Sequence, residues 1–398
     1  MQAIRKTLLA TAIALGLGSA AQAAAPVKLA FITDMSGVYS AVDGPGGAAA
    51  IRMAIKDFGG KVLGRPVELM TFDHQNKADL AAGKAKEFFS QDGADMLIAG
   101  TNSATALAME RVAASYKKPF IDIGGGASTI VGKECTPYTD MYAYNTTALA
   151  RGTGKAIVEK GGKTWYFLTA DYAFGKSLQS DAAKVVEANG GKVLGQVYAP
   201  LASADFSSYL LQAQASKAEV LGLANAGGDS VNSIKQATQF GITKSMKLAG
   251  LLLFVTDIHS IGLPSAQGLY LTTPWYWNQD KAARDWSQRF YKEMHVMPTF
   301  VQAADYSATM TYLKAVKAAG TTDGDKVMAE LHKMKVDDMF MHGGTLAPNG
   351  LMIHDMYLAQ VKTPAQSKGE WDLYNIVQKI PGADAFGPIA DYGCPLAK

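Results

Sequence analysis

Short apolar runs that favour β-strands alternate with helix-like segments along most of this 398-residue chain. In the first part of the chain these runs are VKLAFIT (27–33), VELMTFD (67–73), ADMLIAG (94–100) and KPFIDIG (118–124). The segments between them repeat apolar residues at helical spacing, as Ala104, Leu107, Ala108 and Val112 do. Because strands that are apolar throughout must be covered on both faces, the alternation predicts an α/β fold with parallel sheets.

The same pattern starts again after an irregular segment near residues 134–147. Its helices begin near Phe174, Ser207 and Asp229. Its apolar runs are TWYFLTA (164–170), GKVLGQVYA (191–199), AEVLGLA (218–224) and MKLAGLLL (246–253). This repetition predicts two doubly wound parallel-sheet lobes.

Three irregular segments, near residues 145, 274 and 343, are predicted to cross between the lobes and to form a hinge. Further helices are predicted at 280–293 and 302–319, and Pro348-Asn349-Gly350 marks a hairpin turn. The predicted first lobe comprises residues 24–145 and 275–343. The predicted second lobe comprises residues 146–274 and 344–398, including a C-terminal extension.

The N-terminal sequence MQAIRKTLLATAIALGLGSAAQA is typical of a secretory signal peptide, with a retained anchor as the alternative. Arg5 and Lys6 precede an apolar stretch, and Ala21-Gln22-Ala23 fits a cleavage site. Cleavage after Ala23 would leave 375 of the 398 residues. None of the later runs reaches the roughly 18 apolar residues of a membrane helix. We therefore expect an exported, soluble mature chain without a lipid anchor.

Charge and cysteine content narrow the possible partners. Removing Arg5 and Lys6 would lower the formal charge from +3 to +1, and the remaining basic residues are scattered, so nucleic acid is not expected as a partner. Cys135 and Cys394 are expected to form one disulfide in an oxidising compartment. A zinc site would need four ligands at ordered spacings, which the sequence lacks. We expect neither a metal nor a cofactor.

Ligands of open parallel sheets bind outside the carboxyl ends of the strands, so the loops that follow the runs should line a cleft between the lobes. In GTNSATA, Asn102 and Ser103 could hold an anion with free backbone N–H and hydroxyl groups, or Ser103 could simply cap its helix. In IGGGAST, the amides of Gly124, Gly125 and Gly126 could surround a carboxylate, or the triplet could be a flexible turn.

Aromatic residues follow several of the same strands. TADYAFG contributes Tyr172 and Phe174, which could alternatively be core aromatics, and TDMSGVYS contributes Tyr39. Trp275, in TTPWYWN, lies at a predicted crossing and could line the cleft. In ANAGGD, Asn225 is a candidate ligand-binding residue and Asp229 is expected to cap a helix.

With these loops in place, the chain resembles the type 1 periplasmic substrate-binding proteins of ABC importers, in the branched-chain amino acid binding group. The resemblance covers essentially the mature chain and rests on the order of several degenerate motifs, among them KLAFITDMSG, PFIDIGGGAST, ADYAFGKSLQSDAAKVVEANGGKVLG and IKQATQFGI. It implies that a serine at Ser103 and the loop at Gly124 to Gly126 bind the ligand carboxylate. The family's threonine position is Gly126 here, and the position of the acidic residue that binds the ligand ammonium is Leu252.

This departure has a physical consequence. An ammonium taken from water into a closed cleft needs a charged partner, which Leu252 cannot supply. We therefore expect an aromatic or other apolar carboxylate, and the chain also resembles family members associated with aromatic acids, including their C-terminal GCPL. The resemblance implies a monomeric periplasmic protein that closes on its ligand about a hinge and docks on an inner-membrane permease.

Three alternatives remain open. An enzyme is not expected, because G-x-S-x-G, P-loop and H-E-x-x-H motifs are absent and the histidines do not cluster. A sensory module for a chemoreceptor or kinase would use the same cleft. An amino-acid or amide binder is possible if Asp257 or Asp229 replaces the missing acidic residue.

Overall fold

The computed structural model describes residues 25–397, so the predicted signal peptide lies outside the described residues. Sixteen strands are present in this part of the chain. They are β1 Val27–Thr33, β2 Lys61–Val62, β3 Arg65–Asp73, β4 Met96–Thr101, β5 Phe120–Gly124, β6 Thr139–Met141, β7 Thr164–Ala170, β8 Lys192–Ala199, β9 Val220–Ala224, β10 Lys247–Gly250, β11 Tyr270–Thr273, β12 Lys335–Asp337, β13 His342–Leu346, β14 Met352–Ile353, β15 Met356–Val361 and β16 Tyr374–Ile380.

Fourteen α-helices alternate with these strands between residues 25 and 397. They are α1 Gly44–Asp57, α2 Ala78–Ser90, α3 Ser103–Ser115, α4 Thr146–Leu149, α5 Lys155–Glu159, α6 Ala173–Ala188, α7 Ser207–Ala215, α8 Gly228–Gln239, α9 Val255–Ile261, α10 Leu263–Ala266, α11 Lys281–Met294, α12 Phe300–Ala319, α13 Gly324–Leu331 and α14 Gly382–Phe386. A π-helical turn, Ala150–Gly154, joins α4 to α5, and 3₁₀ turns occur at Ile242–Lys244 and Ile389–Tyr392.

The first sheet has the strand order β2-β3-β1-β4-β5-β6, and every pair except β2–β3 is parallel. All residues of β4 and β5 are buried, as expected for central strands covered by helices on both faces. Helix α1 packs against α12, and α2 packs against α3. The later helices α11 to α13 therefore return to the first lobe.

The second sheet has the order β10-β9-β7-β8, and its pairs are all parallel. Its strands follow the first sheet in both order and direction, because β8, β7, β9 and β10 correspond to β3, β1, β4 and β5. The prediction of two doubly wound α/β lobes is confirmed. The predicted runs 27–33 and 164–170 coincide with β1 and β7.

Two small antiparallel sheets, β11-β15-β16 and β12-β13-β14, complete the topology of the described chain. The predicted turn at Pro348-Asn349-Gly350 connects β13 to β14, with Gly350 at a φ of +80°. Gly350 also accepts a hydrogen bond from the backbone N–H of Met141 (2.8 Å), which attaches this hairpin to the first sheet. The predicted lobe crossing near residue 343 thus falls within β13. The chain joins the β11-β15-β16 sheet only later, at β15.

The predicted disulfide is confirmed, with Cys135 and Cys394 bonded and their Cα atoms 5.8 Å apart. It fastens the segment that follows β16 to the loop after β5, 259 residues away in the sequence. Within residues 25–397, none of the helices has the length and apolarity of a membrane span.

Candidate ligand-binding site

The start of α3 is shaped by Asn102, which joins it to β4. Asn102 has a φ of +84°, which is uncommon for a residue with a side chain. Its side-chain oxygen accepts hydrogen bonds from the backbone N–H groups of Ala104 (2.9 Å) and Thr105 (3.3 Å). This excludes the alternative in which Ser103 caps the helix, because Asn102 is the cap and Ser103 is the first helical residue.

A chain of hydrogen bonds holds this helix start against the first loop of the lobe. The Asn102 side-chain amide donates to Asn76 (3.0 Å), and the Asn76 amide donates to Asp34 (2.6 Å). Asp34 also accepts from the backbone N–H groups of Gly37 (2.7 Å) and Tyr39 (3.0 Å). The loop that carries Tyr39 is thereby fixed relative to the start of α3.

Ser103 is fully buried and faces the glycine loop. Its hydroxyl oxygen accepts a hydrogen bond from the backbone N–H of Ala127 (3.1 Å). The Ser103 backbone N–H has no acceptor among residues 25–397. N–H groups in the first turn of a helix carry partial positive charge, so this one is suited to an anion.

At Gly125 and Gly126, neighbouring atoms leave no room for a side chain. The Gly125 backbone N–H donates to the Asp122 carboxylate (2.7 Å), and a Cβ at Gly125 would collide with that carboxylate. Gly126 has a φ of +63°, and a Cβ there would lie 2.9 Å from the Tyr144 ring and 3.1 Å from the Phe174 ring. In the described chain, the Gly126 N–H has no hydrogen-bond acceptor. The triplet thus forms a turn in which the Gly125 N–H is bonded to Asp122 and the Gly126 N–H has no acceptor among the described residues.

Aromatic side chains from both lobes meet beside Gly126. The hydroxyl groups of Tyr39 and Tyr172 lie 2.6 Å apart, and Phe174 packs next to Tyr172 with ring centroids 6.2 Å apart. The Tyr144 hydroxyl donates to the Gly124 carbonyl oxygen (3.1 Å).

Two phenylalanines extend this group. Phe300, the first residue of α12, packs edge-on against Tyr144 (5.3 Å) and stacks on Phe254 (4.9 Å). We call the whole group the aromatic cluster. It consists of Tyr39, Tyr144, Tyr172, Phe174, Phe254 and Phe300.

Burial keeps the tyrosine hydroxyl groups of the cluster protonated. It raises the pKa of Tyr39 and Tyr144 well above the usual value, and the pKa of Tyr172 is raised as well. Each phenol can therefore donate one hydrogen bond at physiological pH.

The polar residues at the mouth of the second lobe bond mostly to their own loops. The Asn225 side chain accepts from the Ser230 hydroxyl (2.8 Å) and donates to Ser233 (3.2 Å). Asp257 accepts from the Phe254 backbone N–H (3.1 Å), and burial raises its pKa to about 7.

Asp229 differs from these residues. One of its oxygens accepts from the Ala202 backbone N–H (3.1 Å), and the other has no partner among the described residues. Burial raises the pKa of Asp229 to about 6.

Two of the predicted site residues with apolar side chains, Leu252 and Trp275, do not belong to the aromatic cluster. Leu252 is 1% exposed and belongs to the apolar core. Trp275 donates its indole N–H to the Met339 carbonyl oxygen (2.8 Å) and packs edge-on against Trp286 (6.0 Å). Trp275 borders the same small cavity as Phe300.

The sequence reading missed Tyr144, Phe254 and Phe300. Phe254 directly follows the run MKLAGLLL, so its position after a strand was a usable signal. Tyr144 lies in a crossing segment without periodicity, and Phe300 begins a helix from a distant part of the chain. No local pattern marked these two residues as neighbours.

Two parallel-sheet lobes whose strand ends meet at buried aromatic rings define a two-lobed ligand-binding protein. Residues 26–370 match the periplasmic binding protein family. The chain belongs to this family, whose members are substrate-binding proteins of ABC transporters and not enzymes. The resemblance noted from the sequence motifs is thereby confirmed.

Solved structures of relatives agree with this assignment. A periplasmic binding protein from Burkholderia mallei is 60% identical, with a TM-score of 0.93 over 94% of this chain and 99% of that one. A branched chain amino acid ABC transporter periplasmic ligand-binding protein from Burkholderia xenovorans is 41% identical, with a TM-score of 0.83 over 94% of this chain and 100% of that one.

More distant relatives give weaker support for this assignment. A solute binding protein of an ABC transporter from Rhodopseudomonas palustris, in complex with 3,4-dihydroxy benzoic acid, is 24% identical, with a TM-score of 0.81 over 90% of this chain and 98% of that one. This likeness shows the fold alone. The Leu/Ile/Val-binding protein homolog 6 of Brucella melitensis is 26% identical over 253 residues, and the match spans 63% of each protein, less than two thirds of either.

Proposed function

We propose that this chain captures a small carboxylate with an aromatic or other apolar body between its lobes and delivers it to an ABC permease. The family supplies the transport role, and the residues at the strand ends supply the ligand class. The complex of the Rhodopseudomonas palustris relative with a dihydroxybenzoate is consistent with this ligand class.

The observation that carries the proposal is a pair of backbone N–H groups without an acceptor among residues 25–397, those of Ser103 and Gly126. The Ala127 N–H, which bonds to the Ser103 hydroxyl, ties the two residues together. A hydrogen bond to a charged oxygen contributes about 1.5–3 kcal/mol. Two such bonds would compensate much of the cost of removing a carboxylate from water.

The apolar body of the ligand would lie against the aromatic cluster. Gly126 is in contact with the rings of Tyr144 and Phe174, so a carboxylate bound at its N–H would place an attached ring among them. The burial of Leu252, at the position where the family resemblance implies an acidic residue, argues against an α-ammonium at that point.

We further propose that ligand binding stabilises closure of the lobes. The contacts between Tyr39 and Tyr172 (2.6 Å) and between the Gly228 N–H and the Val38 carbonyl (3.1 Å) join the two strand-end surfaces. Only this arrangement lets both surfaces touch one ligand, so the ligand favours it. We infer that the three crossings lie near residues 142–145, 274–280 and 354–355.

Ligand class is tested by calorimetric titration of the mature chain with benzoate, 4-hydroxybenzoate, 3,4-dihydroxybenzoate and leucine. We expect binding of at least one benzoate and none of leucine. Binding of leucine without any benzoate would overturn the assigned ligand class.

The amide pair is tested separately with Ser103→Pro, which removes the N–H at a helix position that tolerates proline. Ser103→Ala is the matched control, because it keeps the N–H and loses only the hydroxyl. We expect Ser103→Pro to weaken benzoate binding about tenfold or more, and Ser103→Ala to weaken it less. Equal affinities of the two variants would remove the Ser103 N–H from the site.

A second candidate function is branched-chain amino acid binding. It is favoured by the buried Asp229 oxygen that lacks a partner in the described chain, since this oxygen could accept from a ligand ammonium. Asp229→Asn would then abolish leucine binding. The same substitution should leave benzoate binding within about twofold if the first candidate is correct.

A further inference from the structure

The glycine loop rests on a buried carboxyl group that does not itself belong to the proposed contact surface. Asp122 lies in β5 and is fully buried. One of its oxygens accepts the Gly125 backbone N–H at 2.7 Å, and the other has no donor within residues 25–397. A buried carboxyl group with one free oxygen is unusual and requires an explanation.

The bond from Gly125 to Asp122 determines where the next amides lie. It bends the chain immediately after β5, so that the Ala127 N–H reaches the Ser103 hydroxyl (3.1 Å). Gly126 is placed between these two anchored residues, against the rings of Tyr144 and Phe174. Asp122 therefore orients the N–H groups that we assign to the ligand carboxylate.

The charges around Asp122 are few. Glu110, on α3, and Tyr144, from the segment after β6, interact with it electrostatically. Glu110 is itself buried, and burial raises its pKa to about 8. The exposed ion pair of Arg111 and Glu134 lies beyond Glu110.

Burial raises the pKa of Asp122 to about 7, and the Gly125 N–H bond opposes this rise. The carboxyl group therefore changes charge within the physiological pH range. A ligand carboxylate bound on the other side of the loop would be a second buried negative charge close by, which favours the protonated form of Asp122.

We propose that Asp122 positions the glycine loop for anion binding and takes up a proton when a carboxylate binds there. The proposal rests on the proposed function, because it assumes that the loop receives an anion. It predicts that the affinity for a carboxylate falls as pH rises through neutrality, because binding must then be accompanied by proton uptake.

The test is calorimetric titration of the mature chain with 4-hydroxybenzoate from about pH 6 to about pH 8, in two buffers of different ionisation enthalpy. We expect the wild-type dissociation constant to rise about three- to tenfold over this range, with proton uptake on binding. Asp122→Asn keeps an oxygen acceptor for Gly125 but cannot titrate. This variant should bind with a dissociation constant that changes by less than about twofold over the same range.

Glu110→Gln is the matched control, since it removes another buried carboxyl group of the same lobe that does not contact the loop. It should keep the direction of the wild-type pH dependence, with a midpoint shifted by the loss of a neighbouring carboxyl group. A slope that persists in Asp122→Asn, or one that disappears in Glu110→Gln instead, would overturn the proposal.

Amide hydrogen exchange at Gly125 and Ala127 tests the positioning role of Asp122 without any bound ligand. Asp122→Asn should preserve the protection of both amides, and Asp122→Ala should reduce it at least about tenfold. If the wild type binds no benzoate at any pH, the proposed function fails, and the exchange data alone decide the role of Asp122. Unchanged protection in Asp122→Ala would then contradict that role.

Discussion

The two lobes share one strand order but present different groups at the ends of corresponding strands. In the first lobe, the loops after β4 and β5 place backbone N–H groups without acceptors at the strand ends, where Asn102 and Asp122 hold the two loops in position. In the second lobe, the loop after β7 places Tyr172 and Phe174 there, and the loop after β9 bonds to its own helix through Asn225. The shared topology therefore determines where a ligand can lie, and the loop residues determine which chemical group it meets.

The difference has a physical basis. Backbone N–H groups that bind an anion must be rigid, because each lost hydrogen bond costs more than an imperfect apolar contact. The first lobe accordingly has a chain of short hydrogen bonds from Asp34 through Asn76 to Asn102. Contacts between aromatic rings tolerate small displacements. The rings of the second lobe therefore need less precise positioning than the N–H groups of the first.

The largest loss of affinity is expected for Gly126→Ala, which puts a Cβ 2.9 Å from Tyr144 at a φ of +63°. We expect carboxylate binding to weaken on the order of a hundredfold, because strain of about 1–3 kcal/mol must move the loop or the ring. Gly60→Ala is the control, since Gly60 has a φ of +72° and no atom within 4 Å of the added Cβ. It should lower the Tm without changing the affinity; equal affinity losses in both variants would show that strain alone, and not the contact, is responsible.

Buried carboxyl groups with raised pKa are expected to make stability fall with rising pH in both lobes, and more strongly in the first. In the first lobe the buried carboxyl groups of Asp43 and Asp305 both lie beside Gly47; burial raises the pKa of both, and the charge of Asp43 raises that of Asp305 further. Their stabilisation is complete below the unfolded-state pKa and is lost as pH rises through the higher folded-state pKa. We expect the free energy of unfolding to fall by on the order of 2 kcal/mol between about pH 5 and pH 8.

Denaturant titrations of Asp305→Asn and Asp257→Asn at several pH values show which lobe causes the pH dependence of the free energy of unfolding. Asp257, a buried carboxyl group of the second lobe, accepts a hydrogen bond from a backbone N–H group and has no neighbouring carboxyl group that raises its pKa. Asp305→Asn should flatten the pH dependence more than Asp257→Asn does, because it changes two interacting groups. The reverse order would assign the pH dependence to the second lobe.

A smaller loss of affinity is expected when an aromatic ring of the second lobe is removed. Phe174→Ala removes a ring that packs on Gly126 and Tyr172, and should weaken benzoate binding about tenfold through lost apolar and ring contacts. Phe240→Ala, at a ring that is 47% exposed in the same lobe, should leave the affinity unchanged. If Phe174→Ala binds as tightly as Phe240→Ala, the second lobe does not contact the ligand through this ring.

The sequence predicted the fold well because its signal is local and repeated. An apolar run followed by a helical period indicates the same unit wherever it occurs, and β1 and β7 were predicted residue for residue. The start of α3 and the glycine loop were also predicted as loops at strand ends. What remained hidden depends on contacts between distant residues.

Asp122 and Trp275 show which contacts cannot be predicted from the local sequence. Asp122 was read only as part of a strand, since nothing local shows that its carboxylate bonds to Gly125. Trp275 was predicted to line the cleft because it is aromatic and lies at a crossing, and nothing local shows that its indole N–H bonds to the Met339 carbonyl oxygen. Residue type and position relative to a strand do not specify which side of a layer a side chain occupies.

The smallest expected effect concerns the link between the two surfaces. The hydroxyl of Ser128, directly after the glycine loop, donates to Asp181 on α6 (2.9 Å) and lies 3.2 Å from the Ser177 hydroxyl. If these bonds form only when the lobes close, Ser128→Ala should weaken ligand binding about two- to fivefold through the closure equilibrium, without removing a ligand contact. Ser180→Ala, at an exposed position of the same helix, is the control. Titration calorimetry measures the affinity, and small-angle scattering of the unliganded protein measures the open fraction. An unchanged affinity of Ser128→Ala would contradict a contribution of these bonds to closure.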